Sequence, residues 1–445
     1  MGRGLEQGGG LRAAASSIRK QTFNRATMQR VFFGLAIGGL CFLGVYTLQT
    51  LRNDMAIACS DDLRATRSML DSDVVALQTV AKRWLRPWER FGSDGGGITQ
   101  DQVSKVFAFL QQGQGIGSLR IQVIHGVLQE PTVVKEWLKT KVYYPPRIQH
   151  WMALFRHIEK MHGLPDFLDI IVCTEDQAFL PASFEHIGGA PIFTYASTLG
   201  HYDIPIPTME YYGKLKDVDL EAVKAQKWEE RIGAPAIWRG SPTGGLYTRE
   251  NYQQKQRYQL VNTTKHYPDL VDARMMPCAP GQCHDEAWAA MERELPTGGS
   301  QFKYPDYIKH KFLIDIDGNA WSSRFILLLS TGCVIFKIET PYVEYFNEFL
   351  VPYKHYIPVA SDSSDLPEKI QYAVDHDDEM RAMSENLVSS FNRFIANGRW
   401  ELYVKTLLTE YSRLLIKPPR IRPNGTRKGA TDKAVSEAGV LRWRT

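Results

Sequence analysis

Neither sign of charge dominates this sequence: 53 Lys and Arg face 49 Asp and Glu, for a net +4 over 445 residues. A nucleic-acid binder normally carries a concentrated basic face, so the balance gives no case for one. Cysteine is scarce, six in all. His284 adjoins Cys283, but no second ligand pair stands at finger-like spacing, which argues against a structural metal. No internal repeat is evident, and only one long stretch is apolar throughout.

That stretch, VFFGLAIGGLCFLGVYTL at 31–48, has 18 positions without a charge. This is close to what an α-helix needs to cross a hydrocarbon core of roughly 30 Å, and it reads as one transmembrane signal anchor. Residues 1–30 carry six basic residues against Glu6. They form a basic cytosolic tail by the positive-inside bias, with the remainder across the membrane in type II topology. A cleaved signal peptide would have a shorter apolar core, ~7–15 residues. In an oxidising lumen Cys278 and Cys283, which bracket the turn APGQ, are placed to form a disulfide. Asn262 (NTT) and Asn424 (NGT) head glycosylation sequons on the same side. The short span and the RWRT ending, which is no retention signal, favour the Golgi over the endoplasmic reticulum.

With 44% hydrophobic residues the chain can supply cores for two domains. Residues 49–97 read as a polar, helical stem ending in the flexible GSDGGG, so the globular part begins near residue 98. From there apolar runs alternate with helical patterns: RIQVIHG (120–126), RIQHWMALFRHIEKMHG (147–163), FLDIIVCT (167–174), PIFTY (191–195). A second set follows with PAIWRG (235–240), a helical stretch around 250–265, KFLIDIDG (311–318), CVIFKI (333–338) and a helix from Leu366. Such alternation predicts two α/β halves. The last helical pattern lies within 391–416, and the basic tail 417–445 holds eight Lys or Arg against two acids.

Three segments carry chemistry. KFLIDIDG places Phe312, Ile314 and Ile316 on one strand face and Leu313, Asp315 and Asp317 on the other. The segment NAWSSRFILLLSTG then starts a helix, and Ser322, Ser323 and Arg324 stand where a helix N-terminus meets a ligand beyond a strand's carboxyl end. Arg324 there suits a diphosphate, although an exposed helix-start arginine fits the spacing equally well. The aspartates are able to clamp a metal, but a structural or hydrogen-bonding role is the more economical account. In IWRGSPTGG (237–245), Arg239, Gly240 and Ser241 follow a strand, and the glycines let backbone amides approach a ligand. In DIIVCTED, Glu175 and Asp176 end a strand, where a carboxylate serves either as general base or as a cap.

Together these segments resemble glycosyltransferase family 90, the family of fungal capsule-associated xylosyltransferases and animal protein O-glucosyltransferases. WRGSPTGG with RYQLV (257–261), FLIDIDGNAWSSRFILLLSTGCVIFK, and YVEYFNEFLVPYKHYIPV (342–359) stand in the family's order, most closely that of its fungal-type branch. The resemblance implies a GT-B-like fold, two Rossmann-like lobes with a cleft between them. Residues 98–232 would be the acceptor and base lobe, and 233–390 the UDP-sugar lobe. It implies inverting transfer of glucose or xylose from a UDP-sugar to a hydroxyl of a glycan or glycoprotein, with no obligatory cofactor and no metal. Asp176 maps to the base; Arg239, Gly240, Ser241, Ser323 and Arg324 map to the donor site; Asp203 in HYDIPIP, with Glu175, maps to the acceptor cleft. The run DQAFLP after Asp176 and Gln256 depart from the family's pattern. A membrane-anchored sugar-binding or scaffold protein that keeps the fold without catalysis is the alternative from another class.

Overall fold

The computed structural model describes residues 72–89, 96–112, 117–177, 189–207, 209–396 and 398–417. The expected anchor at 31–48, both basic tails, most of the DQAFLP run and Asn424 lie outside them. Among the described residues no helix is long and apolar enough to cross a membrane.

The first sheet is built from β1 (Ser118–Ile124), β2 (Val127–Leu128), β3 (Thr132–Val133), β4 (Phe167–Cys173), β5 (Ile192–Thr194) and β7 (Ile204–Pro205). Its order is β2-β1-β4-β5-β7, with β3 also on β1. Strands β4, β5 and β7 run parallel. β1 does not: it pairs antiparallel with β4, Ile124 opposite Phe167 and Ser118 opposite Cys173. This half is therefore only partly Rossmann-like. After β1 the chain turns at His125 and Gly126, both at positive φ, and passes through the Tyr144–His162 helix. It re-enters the sheet at the end where β1 stopped, so the next strand must run the opposite way.

The second sheet is wholly parallel, in the order β13-β11-β10-β8-β9. Its strands are β8 (Ala236–Gly240), β9 (Val271–Met275), β10 (Phe312–Asp315), β11 (Val334–Ile338) and β13 (Ile357–Val359). Helices Gln256–His266 and Asp285–Glu294 accompany β8 and β9. β8 is first in sequence yet lies between β9 and β10, so successive crossovers leave it in opposite directions. The gap between the carboxyl ends of β8 and β10 is the topological switch point, where doubly wound sheets bind ligands. The alternation read in KFLIDIDG holds. Phe312, Ile314 and Ile316 enter the core of the second sheet, while Leu313 faces the core shared with the first.

Two features join the halves. β6 (Ser197–Thr198) pairs antiparallel with β12 (Tyr342–Val343). The Asp377–Phe394 helix begins in the second core with Met380 and Met383 and ends in the first with Phe391 and Phe394. The Arg399–Leu414 helix then covers the first sheet, burying Trp400, Tyr403 and Tyr411 completely. Each such side chain contributes roughly 1.5–3 kcal/mol by leaving water.

Two sequence expectations change. Residues 72–89, expected within the stem, are a helix that buries Leu77, Ala81 and Leu85 in the first core. Its apolar positions recur every three or four residues, so one face must find a partner surface. The helix expected from NAWSSRFILLLSTG is a single turn, Phe325–Leu328. The Ser330 and Thr331 hydroxyls donate back to the carbonyls of Leu327 and Leu328, and Gly332 at φ 67° turns the chain into β11. So short a helix has little dipole to offer an anion, which leaves side-chain charge to do that work.

Candidate active site

The two switch-point loops meet the carboxyl end of β4 across a cavity of about 1540 Å³. From the second sheet it is lined by Arg239, Gly240, Thr243, Arg257 and the run Gly318–Arg324; from the first by Tyr143, Arg147, Asp176 and Tyr195. The sequence reading thus brings Asp176, Arg239, Gly240, Ser323 and Arg324 to one place. Ser241, Glu175 and Asp203 are not in the lining. Glu175 Oε1 accepts from the Gly117 N–H at 3.1 Å and the Tyr143 hydroxyl at 3.0 Å, so it ties two loops together. Burial and Glu175 together push the Tyr143 phenol up to about 12. Asp203 is wholly buried, within electrostatic reach of Cys173 at the end of β4.

Asp176 is held by a residue that sequence reasoning missed. Arg147, on the first turn of the Tyr144–His162 helix, donates from Nη2 to Asp176 Oδ1 at 2.6 Å and from Nη1 to the Thr174 carbonyl. Burial works against the Arg147 charge, but Asp176 and neighbouring groups outweigh it and hold its pKa above the ordinary arginine value. Among the described residues no hydrogen bond engages Asp176 Oδ2. The Arg147 guanidinium also lies 5.9 Å from the Tyr195 ring, and Tyr195 packs on Trp321 of the opposite loop at 5.1 Å.

The arginines of the second half fall into two kinds. Arg239 donates from Nη2 to Asp272 Oδ2 at 2.6 Å and from Nη1 to the Trp238 and Asp272 carbonyls, so its charge already has a partner. Arg257 and Arg324 have none: neither forms an ion pair with a described carboxylate. Arg257 donates to the carbonyls of Asp317 (2.9 Å) and Ser241 (2.6 Å); Arg324 donates to the carbonyl of Arg239. Both lie over Trp238, at 5.4 and 5.8 Å. Burial, with repulsion from Arg324, pushes Arg257 down to about 10. Two guanidinium groups side by side, bonded only to carbonyls at the mouth of a switch point, form a site for a polyanion.

The glycines act differently from expectation. The Gly244 and Gly245 N–H groups, at φ 99° and 92°, donate to Asn319 Oδ1 at 3.0 and 3.3 Å, which pins the two loops together and leaves neither amide for a ligand. Gly240 has no side chain because the Trp238 indole fills the space a Cβ would take. Asp315 and Asp317 share one cation: Lys337 Nζ lies 2.7 Å from each. Asp315 also accepts from Ser322 Oγ at 2.6 Å, and Asp317 from the Thr340 hydroxyl. Burial opposes the Lys337 charge, but the two carboxylates outweigh it and raise its pKa. In the free protein the pair is thus engaged by Lys337, Ser322 and Thr340. Elsewhere Cys278 and Cys283 are joined in a disulfide, and Gln256 Nε2 donates to the Ser361 carbonyl at 3.1 Å.

Comparison with known proteins gives the following likenesses. The chain is similar to Protein O-glucosyltransferase 1 of Rattus norvegicus, 27% identical over 269 residues that make up 58% of this chain and 65% of that protein. It is also similar to Protein O-glucosyltransferase 2 of Danio rerio, 26% identical over 243 residues, 52% of this chain and 45% of that protein. The match thus spans about half to two thirds of these relatives' own length. A crystal structure of a glycosyltransferase from Rickettsia africae ESF-5 overlaps 50% of this chain and 63% of its own at 11% identity, with a TM-score of 0.33, too slight a likeness to bear on the fold. The family model described as Glycosyl transferase family 90 matches residues 133–441, taking in the whole second sheet, strands β4, β5 and β7 of the first, and every cavity-lining residue named above. The chain belongs to glycosyl transferase family 90.

Proposed function

We propose that this chain is an inverting glycosyltransferase that moves a sugar, glucose or xylose, from a UDP-sugar to a hydroxyl of a glycan or glycoprotein. The observation that carries this reading is a single cavity with two unpaired guanidinium groups, Arg257 and Arg324, on one side and the Asp176 carboxylate on the other. Asp176 takes the acceptor's proton on Oδ2 as the alcohol oxygen attacks C1 of the donor sugar from the face opposite UDP. The bond from C1 to the β-phosphate oxygen breaks, and Arg257 and Arg324 stabilise the departing diphosphate. Arg147 orients Asp176 through Oδ1. Arg239, committed to Asp272, positions Arg324 through its carbonyl instead of gripping phosphate itself. Ser323 and Gly240 complete the donor wall.

The two α/β sheets with strand ends meeting at one cavity support a GT-B assignment. Family membership and relatives named O-glucosyltransferases favour glucose as the sugar. The Cys278–Cys283 disulfide supports an oxidising lumen, with 31–48 as the type II anchor in the Golgi or endoplasmic reticulum. No divalent ion is required: the Lys337 ammonium already sits between the two aspartates, and the guanidinium groups take the phosphate charge. Activity should therefore survive EDTA. Loss with EDTA and restoration by manganese would overturn this part of the reading.

A second reading, sugar binding without catalysis, is favoured by one observation: Asp176 is already ion-paired through one oxygen to Arg147. Incubating the purified chain with a panel of UDP-sugars and acceptors and measuring UDP release separates the two. Transfer that disappears in Asp176→Asn, with UDP binding retained, supports catalysis. Normal turnover in that variant removes Asp176 from the role, and no UDP release with any pair favours the binding protein.

A further inference from the structure

The Asp315–Lys337–Asp317 cluster is outside the cavity lining, yet it contacts the lining at Ser322 after β10 and at Arg257 on the Gln256–His266 helix. Lys337 stands opposite Asp315 in the parallel register of β10 and β11, and its side chain is only 8% exposed. Asp315 carries Ser322, next to Ser323 and Arg324. Asp317 is divided: its carboxylate goes to Lys337 and Thr340, its carbonyl to Arg257 Nε. The strand-end carboxylate pair has the form of a cation clamp, and the protein's own ammonium fills it.

The consequence falls on Arg257. An arginine bonded only to carbonyls is drawn to any buried carboxylate that lacks a counter-ion, and Asp315 and Asp317 lie within its electrostatic reach. We infer that Lys337 is a positioning residue: by pairing with both Asp315 and Asp317 it keeps the Arg257 guanidinium turned to the cavity, available to the donor's diphosphate. This rests on the proposed function only in naming the anion. The charged and titratable groups facing the cluster are Lys337 from β11, Arg257 from the Gln256–His266 helix, Tyr342 from β12 and, beside the Lys337 ammonium, Tyr356.

The test is calorimetric titration of the full chain with UDP and with inorganic diphosphate between pH 5 and 8, each variant read as a ratio to wild type at the same pH. Lys337→Met should weaken binding about tenfold or more at pH 8, the loss of one charge-assisted contact. The deficit should shrink as pH falls, because a proton shared by the crowded carboxylates then replaces the ammonium. The triple variant Lys337→Met/Asp315→Asn/Asp317→Asn should regain affinity at every pH. A Lys337→Met protein that binds like wild type, or whose deficit is constant with pH and not rescued, overturns the inference. A purely structural role would lower the melting temperature without the pH-dependent ratio. If Lys337→Met does not fold, Lys337→Met/Asp315→Asn, with one carboxylate left on Asp317, is predicted to show the same deficit. If wild type binds neither UDP nor diphosphate, the proposed function fails, and a crystal structure of the variant decides the inference. Arg257 turned onto Asp317 supports it; Arg257 still on the Ser241 and Asp317 carbonyls overturns it.

Discussion

Replacing Arg257 by methionine separates stability from function in a way that few substitutions do. The fall in its pKa from the ordinary arginine value to about 10 corresponds to about 3 kcal/mol of unfavourable charge burial in the free protein. That cost is fully present below about pH 10 and is relieved only as pH rises from there towards the ordinary arginine value, so it is constant across the physiological range. Against it stand two charge-assisted hydrogen bonds, to Ser241 and Asp317 carbonyls, each contributing ~1.5–3 kcal/mol. The contributions are of similar size and opposite sign, so Arg257→Met should change the stability of the free protein by no more than about 3 kcal/mol. Donor binding loses a guanidinium–phosphate contact outright, about 2–3 kcal/mol, or roughly 30- to 150-fold in Kd. Denaturant melts give the first quantity and calorimetric titration with UDP the second. Saturating UDP should raise the melting temperature of wild type, by about 2.7 kcal/mol of stabilisation at 100 times Kd, and stabilise the variant by less than about 1 kcal/mol at the same concentration. A variant that unfolds far more easily while binding UDP normally would make Arg257 a structural strut and refute the unpaired-charge argument.

Arg239→Met is the contrasting case: it strips one partner from Asp272, leaving only Arg274, and should cost about 2 kcal/mol of stability while moving UDP affinity less than Arg257→Met does, read by the same two measurements. Gly117→Ala drives a Cβ into Thr174 and Glu175 immediately before Asp176, so kcat should fall, on the order of 100-fold for a displacement near 1 Å, with UDP Kd little changed. His355 is buried with Nδ1 accepting the Val351 N–H at 2.7 Å, and burial followed by the nearby Lys354 lowers its pKa below 6.5. The unfolded chain therefore binds that proton first, and stability should decline as pH falls through 6.5; His355→Gln should flatten this part of a melting-temperature profile between pH 5 and 8.

What was legible in the sequence is what depends on near neighbours. β-Branched runs such as FLDIIVCT and CVIFKI became β4 and β11, and the apolar spacing of RIQHWMALFRHIEKMHG became the Tyr144–His162 helix. Arg147 was not legible as a site residue, because in that helix it reads as an ordinary polar position; only the packing of the helix on β4 carries it to Asp176, 29 residues away. Arg257 was visible within RYQLV but not as an unpaired charge, since the absence of a carboxylate partner is a property of the folded neighbourhood. Lys337 did leave a signal: a lysine inside the apolar run CVIFKI must find buried acids, and the nearest strand offers two. The stem expectation missed residues 72–89 because a helix with one apolar face reads as polar overall until its partner surface is known.

The division of the arginines explains why pattern alone pointed to Arg239 over Arg257. A strand-end arginine followed by glycine looks like a ligand group, and Arg239 does line the cavity, but its guanidinium is hydrogen-bonded to Asp272, a carboxylate it shares with Arg274. The groups able to bind an anion strongly are those whose charge remains uncompensated, and folding tolerates them only where Trp238 lies beneath and carbonyls surround them. Lys337 then has to hold the two nearest carboxylates away from them. The free protein thus keeps two uncompensated guanidinium groups on one side of the cavity, while on the other side Asp176 is fixed by Arg147. Trp321 on Tyr195, and Tyr195 beside Arg147, put the two sides in one packed wall.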